Sequence, residues 1–147
     1  MPTYRDQAIV LHTNKLGEAD RIITMLTRNH GKVRAVAKGI RKSNSRFGAR
    51  LEPLNLVDVQ LHQGRNLDTV TGVETVAAFS AQASQDYSLW TAGLAMAETT
   101  DRIISADHEP ANAQFLLFYG GLKALVEQSH SPGLILDAFL IRSMSAS

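Results

Sequence analysis

The sequence predicts an α+β protein in two parts, a five-stranded β-barrel over residues 1–79 and an incomplete helical domain over residues 80–147. Two observations about hydropathy predict this division. Apolar residues recur with a period of two through the first half of the chain, and with a period near 3.6 from about Ala81 onward. Charge is also unevenly distributed, but with its boundary inside the predicted barrel: residues 1–50 hold 11 Lys/Arg and 3 Asp/Glu, whereas residues 51–147 hold 4 and 11.

Five segments of the first half have the alternation or the β-branched composition of strands. They are residues 8–13, 21–27, 32–40, 57–62 and 67–73. Tight turns are predicted at Asn29-His30-Gly31 and at Gly64-Arg65-Asn66. Five strands in about 75 residues suit a closed barrel, because closure removes the sheet edges that promote aggregation. The oligonucleotide/oligosaccharide-binding (OB) barrel has this strand count.

The third predicted strand has two chemically different faces. Val33, Ala35 and Ala37 share one face, and the cations Lys32, Arg34 and Lys38 belong to the other. This pattern predicts a core-facing side and a wet, cationic outer side.

A larger insertion, residues 41–53 (RKSNSRFGARLEP), separates the third and fourth strands, where OB barrels often carry one. Its Ser, Asn, Gly and Arg content predicts a mobile loop rather than a helix. Phe47 is the only aromatic residue of the basic region. Two interpretations of Phe47 stay open, stacking on a nucleic-acid base or anchoring the loop onto the barrel.

Three helices are predicted in the second half. The first has a mostly apolar stripe, the second spans about residues 115–126, and the third begins at Ser131-Pro132 and continues through Ile141. The stripe of the first helix consists of Leu89/Trp90, Leu94, Ala97, Asp101 and Ile104. Because the third helix is apolar and stops near the chain terminus, we expect part of its packing partner to be absent.

The chain lacks the residues that several classes of function require. The chain has no cysteine, which excludes disulfides, thiolate zinc sites and iron–sulfur clusters. It has neither of the common glycine-rich phosphate-binding motifs, G-x-x-x-x-G-K-[ST] and G-x-G-x-x-G. Its five histidines are dispersed along the sequence. We interpret Glu18 and Asp20 as local charge partners or a cap rather than a catalytic pair. We therefore expect no enzymatic activity, cofactor or metal. The absence of a secretory signal or a long apolar run predicts a cytoplasmic protein without a membrane partner.

From Arg21 to Arg50 the chain carries nine positive side chains and no negative one. Concentrated like charge is self-repulsive and is typical of a polyanion-binding surface. Nucleic acid is therefore the predicted ligand. The candidate binding residues are Arg21, Lys32, Arg34, Lys38, Arg41, Lys42, Arg46, Phe47 and Arg50. Two alternatives stay open, an RNA-binding OB module of translation or ribosome assembly and a protein-interaction adaptor that uses the acidic half.

Four segments of the first half resemble the N-terminal part of the bacterial RecO recombination and repair family. They are YRDQAIVL at 4–11, LGEADRI at 16–22, GKVRAVAKG at 31–39 and SRFGARLEP at 45–53. The likeness is close over about residues 3–76 and looser in the helical half.

The resemblance implies an OB barrel that binds single- and double-stranded DNA and anneals complementary strands. It also implies that the protein, with its partner RecR, helps to load RecA onto strands coated by single-stranded DNA-binding protein (SSB). A contact with the SSB C-terminal tail, no hydrolytic activity and a nucleoid-associated location are further implications. Members of the family are longer, and many carry a Cys-rich zinc motif in the later region. We expect this chain to be a shortened form, and without cysteine it has no counterpart of that motif.

Overall fold

The computed structural model describes residues 2–146 and confirms the predicted architecture, a closed five-stranded barrel followed by helices. The strands are β1 (Thr3–Leu16), β2 (Asp20–Thr27), β3 (Lys32–Ala37), β4 (Leu56–His62) and β5 (Asp68–Ala77). They follow the order β1-β2-β3-β5-β4 around the barrel. All neighbouring pairs are antiparallel except β3 and β5, which are parallel. The order and closure are those of an OB-type barrel.

The alternating apolar residues of the strands fill the barrel interior, as the sequence predicts. On β3, Val33, Ala35 and Ala37 are completely buried. The strand ends at Ala37, earlier than predicted, because Gly39 has a φ of 72° and cannot continue an extended strand. β1 is apolar on both faces over residues 8–11 because its inner residues enter the barrel core and its outer ones pack against the helices.

Four helices follow β5 in the described residues 2–146. They are α1 (Phe79–Ala83), α2 (Tyr87–Ile103), α3 (Asn112–Glu127) and α4 (Pro132–Ala146). Asp86 is the N-cap of α2, and its side chain accepts hydrogen bonds from the amides of Ser88 and Leu89 at 2.8 and 3.3 Å. α4 starts at Pro132, the position that the Ser-Pro pair predicts.

The helices share a hydrophobic core with the outer face of the barrel. Ile9 and Leu11 of β1 and Leu26 of β2 belong to the same buried cluster as Met96 and Phe118. The barrel has a second, separate core inside it. The division of the chain at residues 79 and 80 stays a prediction, because the two parts are joined by this common cluster.

The stripe predicted for α2 is confirmed at Leu89, Ala97 and Ile104, which are buried, and wrong at its other three positions. Trp90, Leu94 and Asp101 are only partly buried. The buried positions are Leu89, Ala92, Gly93, Met96, Ala97 and Thr100. The small residues of α2 face the core because α2 lies very close to its neighbours. A Cβ on Gly93 would lie 2.7 Å from Leu54 Cδ1.

The helical half also leaves apolar side chains at the surface. Leu134 is 61% exposed and Ile141 is 66% exposed, although both belong to the predicted apolar helix α4. A groove of about 560 Å³ lies between α3 and α4 and is lined mainly by apolar residues. Within residues 2–146, no helix is both long enough and apolar enough to cross a bilayer.

A tyrosine–carboxylate contact joins the starts of β1 and β5. The hydroxyl of Tyr4 donates to Asp68, which is buried and also accepts from the amide of Gly64 at 3.1 Å. Burial, followed by this hydrogen bond and the charge of Asp68, raises the pKa of the Tyr4 phenol well above its ordinary value.

Alkaline pH should therefore destabilise the fold through Tyr4. Below about pH 10 the phenol is protonated in both the folded and the unfolded chain. Above it the unfolded chain loses the proton first, so the stabilisation is lost as pH rises toward the folded-state pKa. We expect Tyr4→Phe to remove part of the fall in the free energy of unfolding between about pH 9 and pH 11, measured by urea titration. The exposed Tyr87→Phe variant should keep the full decline, and equal curves for the two variants would contradict this prediction.

Candidate nucleic-acid interface

The insertion, which in the structure spans residues 38–55 between β3 and β4, lies across one end of the barrel. It contains no helix, as predicted, and consists of successive turns. Phe47, Leu51 and Leu54 on it are at most 2% exposed. Phe47 and Leu51 belong to the core inside the barrel, whereas Leu54 belongs to the core shared with the helices. The body of the insertion is therefore packed onto the barrel, while its polar and cationic side chains stay outside.

The start of the insertion is tied to the hairpin that joins β1 and β2. The carboxylate of Asp20 accepts a hydrogen bond from the amide of Gly39 at 2.8 Å. The amide of Arg41 donates to the carbonyl of Ala19, and its guanidinium donates to the carbonyl of Gly17, both at 2.9 Å. The contact supports the interpretation of Asp20 as a local cap.

One cleft lies between the insertion and the β1–β2 hairpin, and we call it the hairpin cleft. It has a volume of about 370 Å³. The charged residues that line it are Lys15, Arg21, Arg41 and Glu52. Lys15 and Arg21 are directly opposite each other in the β1–β2 ladder. Like charges at such positions repel, so an anion bound between them would relieve an unfavourable term.

A second cleft, the β5 cleft, lies between the insertion and β5 and has a volume of about 680 Å³. Arg46 and Arg50 contribute its positive charge, Glu74 its negative charge, and Thr71 and Thr75 polar groups. The guanidinium of Arg50 donates to the carbonyl of Arg46 at 2.9 Å. The guanidinium of Arg46 lies 4.8 Å from the centroid of the Phe47 ring, which forms its apolar support.

The structure places Phe47 in the barrel core, with 1% of its surface exposed. A ring in this position has no face available for a nucleic-acid base. The burial favours the anchoring interpretation over the stacking one, and Phe47 stays at the interface only as the wall beneath Arg46.

Two of the candidate cations on β3 are neutralised by the helical half. Lys32 has an 11% exposed side chain, and its ammonium donates to the carboxylate of Asp101 at 3.0 Å and to the carbonyl of Asp101 at 3.2 Å. Arg34 donates to Asp107 at 3.1 Å. The prediction that the outer face of β3 is exposed to solvent is wrong at Lys32, because α2 and the α2–α3 loop (residues 104–111) cover this residue. Alternation identifies the outer face but not what packs on it. DNA binding by Lys32 and Arg34 stays a prediction, and it would require release from these carboxylates.

The remaining candidates, Lys38 and Lys42, are exposed on the turn after β3. Neither forms an ion pair within the described part of the chain. Sequence reasoning missed Lys15, which precedes the basic run. The available signal was the hairpin register, since a strand pair that turns at Gly17 brings Lys15 opposite Arg21. Sequence reasoning also missed the polar residues of β5 that line the β5 cleft, Thr71 and Thr75. Across residues 2–146, no three His, Asp or Glu side chains are grouped as a metal site.

Comparisons with known proteins identify the family of this chain. The family profile described as "Recombination protein O N terminal" matches residues 1–79. The chain belongs to the RecO family. A second RecO profile, described as "Recombination protein O C terminal", matches residues 84–147. The resemblance drawn from the four segments is confirmed.

The chain is similar to several curated RecO relatives, each named "DNA repair protein RecO". It is 57% identical over 142 residues to the one from Nocardioides sp., covering 97% of this chain and 58% of the relative. It is 56% identical over 151 residues to the relative from Cutibacterium acnes, covering 100% and 61%. For Thermobifida fusca the identity is 54% over 145 residues, covering 99% and 60%. The chain thus spans about three fifths of the length of these RecO relatives.

Proposed function

We propose that this chain is a non-enzymatic DNA-binding and strand-annealing protein of recombinational DNA repair. The observation that carries the proposal is the group of cations around the insertion at one end of an OB barrel. They are Lys15, Arg21, Arg41, Arg46 and Arg50. Only Glu52 and Glu74 oppose them in the two clefts. Membership of the RecO family supports DNA as the polyanion.

Binding at this interface would be directed at the nucleic-acid backbone. Guanidinium and ammonium groups recognise phosphates without reading base sequence. Phe47, the aromatic residue of the basic region, is buried and offers no stacking platform. We therefore propose weak sequence preference and strong dependence on salt.

Annealing follows from the same charges. Two complementary strands repel each other through their phosphates, and a cationic surface lowers this repulsion while concentrating both strands. With RecR, we propose, the chain helps load RecA onto SSB-coated single strands at the nucleoid. What supports this wider role is family membership, and the part assigned to these residues is the DNA contact.

A salt titration tests the DNA contact. If about five phosphates are neutralised, the logarithm of single-strand affinity should fall against the logarithm of salt with a slope of about −3.5. Replacing Lys15, Arg41, Arg46 and Arg50 together by Gln should flatten this slope by about 2–3. Fluorescence anisotropy of a labelled oligonucleotide measures both quantities.

The control variant removes two cations that lie elsewhere on the surface. Arg5 pairs with Asp58 at 3.4 Å and Arg102 pairs with Glu98 at 2.8 Å, both at exposed positions. Arg5→Gln/Arg102→Gln should keep the parent slope. A parent-like slope in the quadruple variant would move the DNA site away from the insertion. RNA of the same sequence and length provides a competition test. If an equal concentration of this RNA displaces the DNA, and the protein does not accelerate annealing of complementary DNA strands, the RNA-binding alternative replaces this proposal.

A further inference from the structure

The cations of the interface lie in two clefts, one on each side of the insertion. The hairpin cleft holds Lys15, Arg21 and Arg41, and the β5 cleft holds Arg46 and Arg50. The two clefts have no lining residue in common. Each cleft contains one acid, so each keeps a net positive charge.

A third depression, of about 570 Å³, shares Gly48 and Glu52 with the hairpin cleft and Arg50 and Thr75 with the β5 cleft. Its charged lining residues are Arg50 and Glu52, so it has no net positive charge that would hold a strand between the two clefts.

The insertion is the wall between the two clefts, and it is packed onto the barrel. Gly48, Leu51 and Glu52 line the hairpin cleft, whereas Arg46 and Arg50 face the β5 cleft. Phe47 and Leu51 fix the segment to the barrel interior with at most 2% exposure. A direct path between the two clefts beneath the insertion would require extracting these side chains from the core, which is costly.

The β5 cleft also has backbone groups available for an anion. β3 pairs with β5 at only two positions, Ala35 with Asp68 and Val36 with Thr69, because β3 ends at Ala37. Over residues 71–77, β5 pairs with β4 alone within the part of the chain described. Its other edge therefore carries amides without a strand partner, and these can donate to phosphate oxygens beside Arg46 and Arg50.

We infer that the two clefts are separate tracks for single-stranded nucleic acid, so that one chain holds two strands at once on the two sides of the insertion. The inference rests on the proposed function and gives annealing a structural basis. Each strand is bound through its phosphates, which leaves its bases free to pair. Holding both strands on one protein replaces an encounter in solution by one at a high effective concentration.

Stoichiometry with a short oligonucleotide tests the inference. A thymidine oligonucleotide of about five nucleotides is near the lower end of the lengths that one OB barrel contacts. At low salt, sedimentation should show two of these oligonucleotides bound to one molecule of the unaltered protein. Lys15→Gln/Arg41→Gln and Arg46→Gln/Arg50→Gln should each bind one. The control Arg5→Gln/Arg102→Gln should bind two.

Annealing of two labelled complementary strands gives the second readout. Both cleft variants should still bind a single strand, yet each should lose about tenfold or more of the rate enhancement. Circular dichroism and thermal midpoints would show whether each variant is folded. One oligonucleotide per unaltered chain, with binding intact, would overturn the two-track inference and leave the DNA-binding proposal standing. No binding at all to the unaltered chain would overturn both.

Discussion

Phe47→Ala is expected to lower the free energy of unfolding by about 3–5 kcal/mol, the usual cost of removing a buried aromatic ring. Phe47 is 1% exposed and lies in the core inside the barrel with Leu51. Its loss would leave a cavity under the insertion and would also remove the ring beneath the Arg46 guanidinium. Urea unfolding followed by circular dichroism measures the change.

The control for this prediction is an exposed aromatic residue. Tyr87 is 82% exposed, and Tyr87→Ala should change the free energy of unfolding by no more than about 0.5 kcal/mol. DNA affinity of the folded fraction distinguishes the two interpretations of Phe47. If Phe47→Ala keeps its stability and weakens single-strand binding by about 1–3 kcal/mol, the ring stacks on bases and its buried position does not describe the binding form.

The barrel was predictable because alternation is a property of the strand itself. Val33, Ala35 and Ala37 had to share a face, and a small apolar face on one side of a strand indicates a core. The ends of the strands were less predictable. β1 continues to Leu16 because its second half pairs with β2, and that pairing depends on register rather than on local composition.

The cations show where local patterns stop being informative. A run of nine positive residues predicted a basic surface but not its division among three environments. Lys32 is covered by Asp101, which lies 69 positions away in the sequence. Arg46 and Arg50 face β5, while Arg41 faces the hairpin. These assignments depend on how the insertion crosses the barrel end and on where α2 docks, and both are tertiary effects.

The contact between β3 and the α2–α3 loop should depend on Gly31. This glycine has a φ of 69°, a conformation that L side chains rarely adopt, and it is buried. A Cβ at this position would lie 2.1 Å from the carbonyl oxygen of Glu109, which is backbone and has little freedom to move aside. Beside it, the amide of His108 donates to the carbonyl of Lys32 at 2.9 Å.

Gly31→Ala should therefore cost more than the backbone strain alone, because the loop must move to admit the methyl group. Gly17 is the matched control, with a φ of 60° and no atom within 4 Å of the point that a Cβ would occupy. Gly17→Ala should cost about 1–2 kcal/mol of unfolding free energy, the strain of a left-handed alanine. Gly31→Ala should cost that amount plus the lost docking contacts.

Hydrogen exchange localises the additional cost in Gly31→Ala. The amide of His108 should lose protection in this variant and keep it in Gly17→Ala, because only the first substitution displaces residues 104–111. Displacement would also carry Asp107 away from Arg34, since the carboxylate belongs to the same loop. Equal stability of the two variants, with His108 still protected, would mean that the loop yields to the methyl group without leaving β3. The cover over Lys32 would then depend on Asp101 and α2 rather than on the loop.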